Sequence, residues 1–170
     1  MSDVPYVVLL GDVGSGKSTL VEKVAGISGR SSAASKSVTI SSEIYESYDE
    51  SFIICDTPGS NSMDDHFNQN IHIAHAMNFD PVTCILIVVK ADARMDNVIQ
   101  RVKEYAEGFV PEDLPTELIG VCVTHMDMVS WNEGDLMPYL RKRAGIETAI
   151  FCSLSTNQED LCSDIISECE

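Results

Sequence analysis

Apolar positions fall into short runs separated by polar, acidic or glycine-rich stretches, and the runs show two periodicities. Tyr6-Val-Val-Leu-Leu10 is a continuous β-rich run that stops at Gly11, and the following segment, Lys17 to Ala25, places Leu20, Val21, Val24 and Ala25 on one helical face. The order is strand, loop, helix. Val38 to Tyr48 and Ser51 to Cys55 are rich in β-branched and aromatic residues, and Asp49-Glu50 between them predicts a hairpin. Thr83 to Val89 and Ile119 to Thr124 are uninterrupted apolar runs, as expected of strands covered on both faces of a parallel sheet. Ala149 to Cys152 predicts a sixth, shorter strand.

Helical spacing is clearest where Val98, Val102, Tyr105, Ala106 and Phe109 recur at intervals of three and four. Leu161, Cys162, Ile165, Ile166 and Cys169 mark a last helix, with Ser155 and Gln158 in the positions of a capping box. Strands alternating with helices predict an α/β fold in three layers: a mostly parallel six-stranded sheet with one antiparallel edge strand and helices on both faces. The 170 residues are expected to form one domain, 1–170. Gly26 to Lys36, dominated by Ser, Ala and Gly, has the composition of a mobile loop.

Charge narrows the range of partners. Eleven Lys and Arg stand against 27 Asp and Glu, a net charge of −16, which argues against an extended nucleic-acid or anionic-lipid surface. Any phosphate must be gripped locally. Met1 to Leu10 lack the basic start of a signal peptide, and no apolar run approaches the ~20 residues of a membrane helix. The six cysteines form no Cys-x-x-Cys pair, so reduced thiols and a cytoplasmic location are expected.

Gly11-Asp12-Val13-Gly14-Ser15-Gly16-Lys17-Ser18 matches Gly-x-x-x-x-Gly-Lys-Ser between a strand and a helix, and Thr19 follows it. In such a loop the backbone N–H groups surround phosphate oxygens, the lysine reaches the outer phosphates, and the serine hydroxyl can ligate Mg²⁺. The loop alone does not choose between ATP and GTP. Ile53-Ile-Cys-Asp56-Thr57-Pro58-Gly59 delivers a carboxylate to the end of a neighbouring strand, where Asp56 can hold the metal through a water and Gly59 can approach a γ-phosphate. Thr39 is a candidate for reaching metal and γ-phosphate from a first switch loop, with Ser35, Ser37 and Ser41 as competing hydroxyls. Thr124-His125-Met126-Asp127 ends the fifth strand, and a carboxylate there can accept two hydrogen bonds from the N1 and N2 edge of guanine, a donor pair adenine lacks.

Together these motifs resemble the G domain of GTPases of the translation-factor-related class, in the same order and over nearly the whole chain. Ala34-Ser-Lys-Ser-Val-Thr39, the Thr-His-Met-Asp form and Arg94-Met-Asp are similar to the septin-like branch, which includes immunity-associated nucleotide-binding and chloroplast import receptor GTPases. The resemblance implies a Mg²⁺-dependent switch that binds GTP and GDP and hydrolyses GTP. Lys17 and Thr39 would be its catalytic residues, and Ser18, Thr39 and Asp56 its metal-binding set.

Departures from the family pattern carry their own implications. The usual Asn-Lys-x-Asp has become Thr124, His125 and Asp127, so an imidazole replaces the lysine that lies along the base. Lys90-Ala91-Asp92 is a rival match but follows the fourth strand, one strand early for a base pocket. Ser153 is the remnant of the base-flanking Ser-Ala-Lys segment. Ser60 stands where Ras-like relatives carry a water-positioning glutamine, and Val13 puts a β-branched side chain where many have glycine; both imply slow hydrolysis. In septin-like relatives the switch threonine and a dimer partner assist, which makes a homodimer across the nucleotide face an expected partner beside an unnamed effector. A GTP-loaded, self-assembling scaffold and a small P-loop kinase are the alternatives, the kinase disfavoured by only five scattered arginines. His66, His72 and His75 lack a cysteine or carboxylate partner at metal-binding spacing, and Arg141-Lys142-Arg143 reads as a solvated helix end.

Overall fold

A computed structural model of the chain describes residues 4–28, 42–59, 66–108 and 118–169, with 66–69 described by their backbone alone. Six strands form a single sheet: β1 Tyr6–Leu10, β2 Glu43–Glu46, β3 Ile53–Asp56, β4 Cys84–Lys90, β5 Ile119–Thr124 and β6 Ile150–Phe151. Their spatial order is β2-β3-β1-β4-β5-β6, with every neighbouring pair parallel except β2 and β3. The predicted α/β architecture with one antiparallel edge is therefore the observed one.

β1 is apolar at every position because it is covered on both sides. Tyr6, Val8 and Leu10 face a core completed by α2 His66–Met77, α3 Met95–Gly108 and α4 Glu133–Ala144, through Ile73, Val102 and Leu140. Val7 and Leu9 face α1 Lys17–Ala25 and α5 Gln158–Ser167, through Leu20, Val24 and Leu161. Each such aliphatic side chain contributes about 1.5–3 kcal/mol of burial, which fixes the sheet as a rigid platform. None of the six cysteines is in a disulfide, and five of them are buried.

The β2–β3 connection is held at one focus rather than by an ideal two-residue turn. Asp49 Oδ1 accepts from the hydroxyls of Ser47 (2.7 Å) and Ser51 (2.6 Å), while Glu50 takes the left-handed conformation at φ 59°. Those hydroxyl bonds hold the Asp49 carboxyl below its ordinary pKa. The expected Ser155/Gln158 cap is not the one formed. Asn157 caps α5, its Oδ1 accepting from the Asp160 N–H at 2.8 Å, and Gln158 is the first helical residue. Asn is an equally good N-cap and stands two residues closer to the apolar stripe, and Ser155 instead contacts the Ser153 hydroxyl at 2.9 Å. Thr39, Ser60, Phe109 and the greater part of the Gly26–Lys36 segment lie outside the described residues.

Candidate functional site

The order β3-β1-β4 makes the end of β1 a point where the chain departs to either side of the sheet, and in open α/β sheets ligand crevices form there, beyond the carboxyl ends of the strands. Gly11–Gly16 occupy that point. Gly16, at φ 99°, turns the chain into α1 in a left-handed conformation that a side chain would strain, and a Cβ there would press to 3.3 Å on Thr124. The first N–H groups of α1 are left without helical partners, as a phosphate site requires.

Lys17 is buried at the base of this loop, its ammonium donating to the carbonyls of Gly11 (2.7 Å) and Asp12 (2.9 Å). Burial lowers its pKa to about 8, against the opposing pull of the Asp56 and Asp12 charges. Ser18 Oγ donates to Asp56 Oδ2 at 2.8 Å, so β3 delivers its carboxylate to the first turn of α1. A serine hydroxyl and a carboxylate at that separation form a hard, all-oxygen donor pair suited to Mg²⁺ with phosphate and water completing the shell. Thr57 is buried and donates its hydroxyl proton to the Leu9 carbonyl, locking the segment after β3 onto β1. Gly59 then lies against Val13: a Cβ on Gly59 would stand 2.6 Å from the Val13 nitrogen and 2.7 Å from its Cα.

Asp12 is tied outward to α3. Its Oδ1 accepts from the Tyr105 hydroxyl at 2.7 Å and its Oδ2 pairs with Arg101 Nε at 3.1 Å. A cavity of about 450 Å³ opens beside this tie, lined by Val13, Lys90, Asn97 and Arg101 among others. In the sequence this anchorage is signalled only by a tyrosine in the apolar stripe of α3, whose hydroxyl needs a partner when buried.

On the other side of the loop, a cavity of about 150 Å³ gathers Gly16, Thr19, Thr124, His125, Asp127 and Ser153. Residues separated by over a hundred positions in the chain meet here because β5 and β6 are neighbours and α1 packs beside them. Thr124 joins the two halves of the site. Its single hydroxyl proton goes to the Ser15 carbonyl at 2.7 Å, so at the 2.8 Å contact with His125 Nδ1 the imidazole is the donor. That network assigns the Nδ1–H tautomer and leaves Nε2 as an acceptor. Burial, then the Lys90 charge, lower the His125 pKa against the pull of Asp127, which favours the uncharged ring.

The rival Asp92 is engaged elsewhere, accepting on Oδ1 from the Arg94 N–H (2.8 Å) and Asn97 Nδ2 (3.0 Å) at the head of α3. His72 and His75 lie on α2, and among the described residues no group of three or more His, Cys, Asp or Glu is placed to hold a metal ion. The basic cluster sits in the last turn of α4, with Arg143 paired to Asp96 at 2.7 Å. No helix among the described residues is long and apolar enough to cross a membrane.

The family model described as 50S ribosome-binding GTPase matches residues 6–120. No curated protein matches the sequence. Among solved structures, the chain is similar to a variant of S. thermophilus NFeoB bound to GDP·AlF4⁻, with TM-score 0.70 and 16% identity over 98% of this chain and 65% of that one. It is also similar to a GTP-binding protein from the hyperthermophilic archaeon Sulfolobus solfataricus in complex with GDP, with TM-score 0.67 and 16% identity over 97% of this chain and 52% of that one. The chain thus spans between about half and two thirds of the length of these structures. At such identity the likeness is one of fold.

Proposed function

Because this chain belongs to the GTPase family whose model runs from Tyr6 through the phosphate loop, Asp56 and β4, we propose that it binds GTP and GDP with Mg²⁺ across the two halves of the site and hydrolyses GTP slowly as a conformational switch. The single observation carrying this reading is the convergence of Thr124, His125, Asp127 and Ser153 on a cavity that shares Gly16 with the phosphate loop. A guanine bound there would offer its N1–H and N2–H donors to the Asp127 carboxylate, and the His125 ring offers a flat face where relatives carry a lysine stem. Gly11, Asp12, Val13, Gly14, Ser15, Gly16, Lys17, Ser18 and Thr19 line the path of the phosphates.

In the reaction, water attacks the γ-phosphorus, the bond to the β,γ-bridging oxygen breaks, and GDP and inorganic phosphate leave. Lys17 exchanges its loop carbonyls for phosphate oxygens and, with the loop amides, stabilises charge developing on the bridge. Mg²⁺, when bound, neutralises charge on the β- and γ-phosphate oxygens. Ser18 and Asp56 would hold it, with Thr39 as the third candidate. Gly59 supplies bare backbone beside Val13, so the presence or loss of a γ-phosphate is felt where those two segments touch. We place the chain in the septin-like branch on Ala34–Thr39, Thr124–Asp127 and Arg94–Asp96, and read 1–170 as a single domain.

Competition of GTP, ATP and XTP for the purified protein tests the reading. Guanine is expected to win over adenine by at least about a hundredfold, since a site built to receive a donor pair is left unpaired by a base lacking it. Asp127→Asn is expected to weaken GTP and shift preference toward XTP. Equal affinity for GTP and ATP would overturn the assignment.

A further inference from the structure

Lys23 is absent from every motif above, yet its ammonium is the most heavily bonded cation near the base cavity. It reaches from the last turn of α1 across to the β6–α5 connection and donates to the carbonyls of Thr156 (2.6 Å), Leu154 (3.1 Å) and Ser153 (3.3 Å). The same side chain lines the cavity that holds Thr124, His125 and Asp127. Three carbonyls converging on one charge impose a shape on this short loop. Each carbonyl shares a rigid plane with the next residue's N–H, so fixing Ser153, Leu154 and Thr156 also fixes how the N–H groups of Leu154, Ser155 and Asn157 are presented.

Among the described residues, no other side chain from outside the loop donates to these three carbonyls. The bonds internal to the loop are the Ser153 N–H to Thr156 Oγ1 at 2.9 Å, the Thr156 N–H to the Ser153 carbonyl at 3.3 Å and the Ser153–Ser155 hydroxyl contact at 2.9 Å, which leave the Leu154 and Thr156 carbonyls to the ammonium. The Leu154 side chain, 80% exposed, gives it no apolar anchor. Without the ammonium, the Leu154 and Thr156 carbonyl dipoles are left aimed at one point beside that of Ser153, which keeps only the Thr156 N–H.

We propose that Lys23 is a positioning residue for base recognition: it holds residues 153–156 in the conformation that closes the base cavity, and thereby sets guanine selectivity. The inference rests on the guanine-site reading above. It assigns Lys23 no contact with the reacting phosphate.

The test compares wild type, Lys23→Met and Lys23→Arg in GTP and ATP affinity, single-turnover hydrolysis at saturating GTP, and thermal midpoint. Lys23→Met keeps the apolar stem and removes the charge. It is expected to weaken GTP about tenfold, the scale of losing a charge-assisted hydrogen bond, and to shrink the GTP/ATP ratio by a similar factor. The single-turnover rate at saturating GTP should fall by a much smaller factor than the affinity does, and Lys23→Arg should recover part of the selectivity. A purely structural lysine would lower the thermal midpoint and leave the selectivity ratio where it was, which overturns the proposal. If Lys23→Met does not fold, Lys23→Gln, which can still donate to two carbonyls, takes its place with an intermediate loss expected. A wild type without guanine preference would sink the site reading itself, whereas a selective wild type with an equally selective Lys23→Met would sink the Lys23 inference alone.

Discussion

Binding of GDP and Mg²⁺ at pH 8 is expected to draw about half a proton per nucleotide from solution. The reasoning starts with Lys17, buried and with its pKa lowered to about 8 by loss of hydration. At pH 8 the nucleotide-free protein therefore carries that ammonium in only about half of its molecules. Phosphate oxygens arriving at the loop favour the charged form and restore a pKa well above 8, so the complex is fully protonated there. The nucleotide's own phosphates are already ionised at this pH and contribute little to the balance. At pH 7 the lysine is about nine-tenths charged before binding, and the uptake falls to about 0.1. Calorimetric titration in two buffers of equal pH and different ionisation enthalpy reads the number directly. The sign for stability is opposite to that of a paired lysine. The unfolded chain holds more protons than the folded one between pH 8 and 10.5, so the nucleotide-free protein gains stability as pH rises through that window, and below it carries a penalty of about 3 kcal/mol. Uptake under about 0.1 at pH 8, or net proton release, would refute the claim that Lys17 changes partners on binding.

Gly59→Ala forces the Val13 backbone and the new methyl apart by about 0.7 Å to reach ordinary contact, an overpacking expected to cost about 1–3 kcal/mol of the nucleotide-free protein's stability by thermal denaturation; an unchanged midpoint would show that the two segments are not in contact. Single-turnover release of phosphate is expected to be slower than about one per minute, because Val13, 48% exposed, abuts Gly59 where water must approach and Ser60 follows in place of a glutamine. A faster rate measured with a phosphate sensor would contradict this.

The sheet could be read from the chain because β1, β4 and β5 are covered on both faces and so carry unbroken apolar runs, while the phosphate loop announces itself through glycines whose backbone the ligand must approach. Contacts made by one long side chain across the fold could not. Lys23 has no periodic signature except its place beside Leu20 and Val24 on a helix otherwise turned to the core, and its three carbonyl partners lie about 130 residues away. The cap of α5 is not legible for a local reason: Ser155 and Asn157 compete as caps, and only the folded path of the β6–α5 loop decides between them. Asp92 and Asp127 are told apart by strand order, which no short motif contains.

The tie from Asp12 to Tyr105 and Arg101 gives α3 a mechanical grip on the glycine-rich loop after β1. Arg101 is half exposed and pairs with Glu104 as well as with Asp12, so the outer end of this tie stands in solvent while its inner end, at Tyr105, is buried. A shift of α3 along the sheet would therefore carry Asp12 of the glycine-rich loop with it.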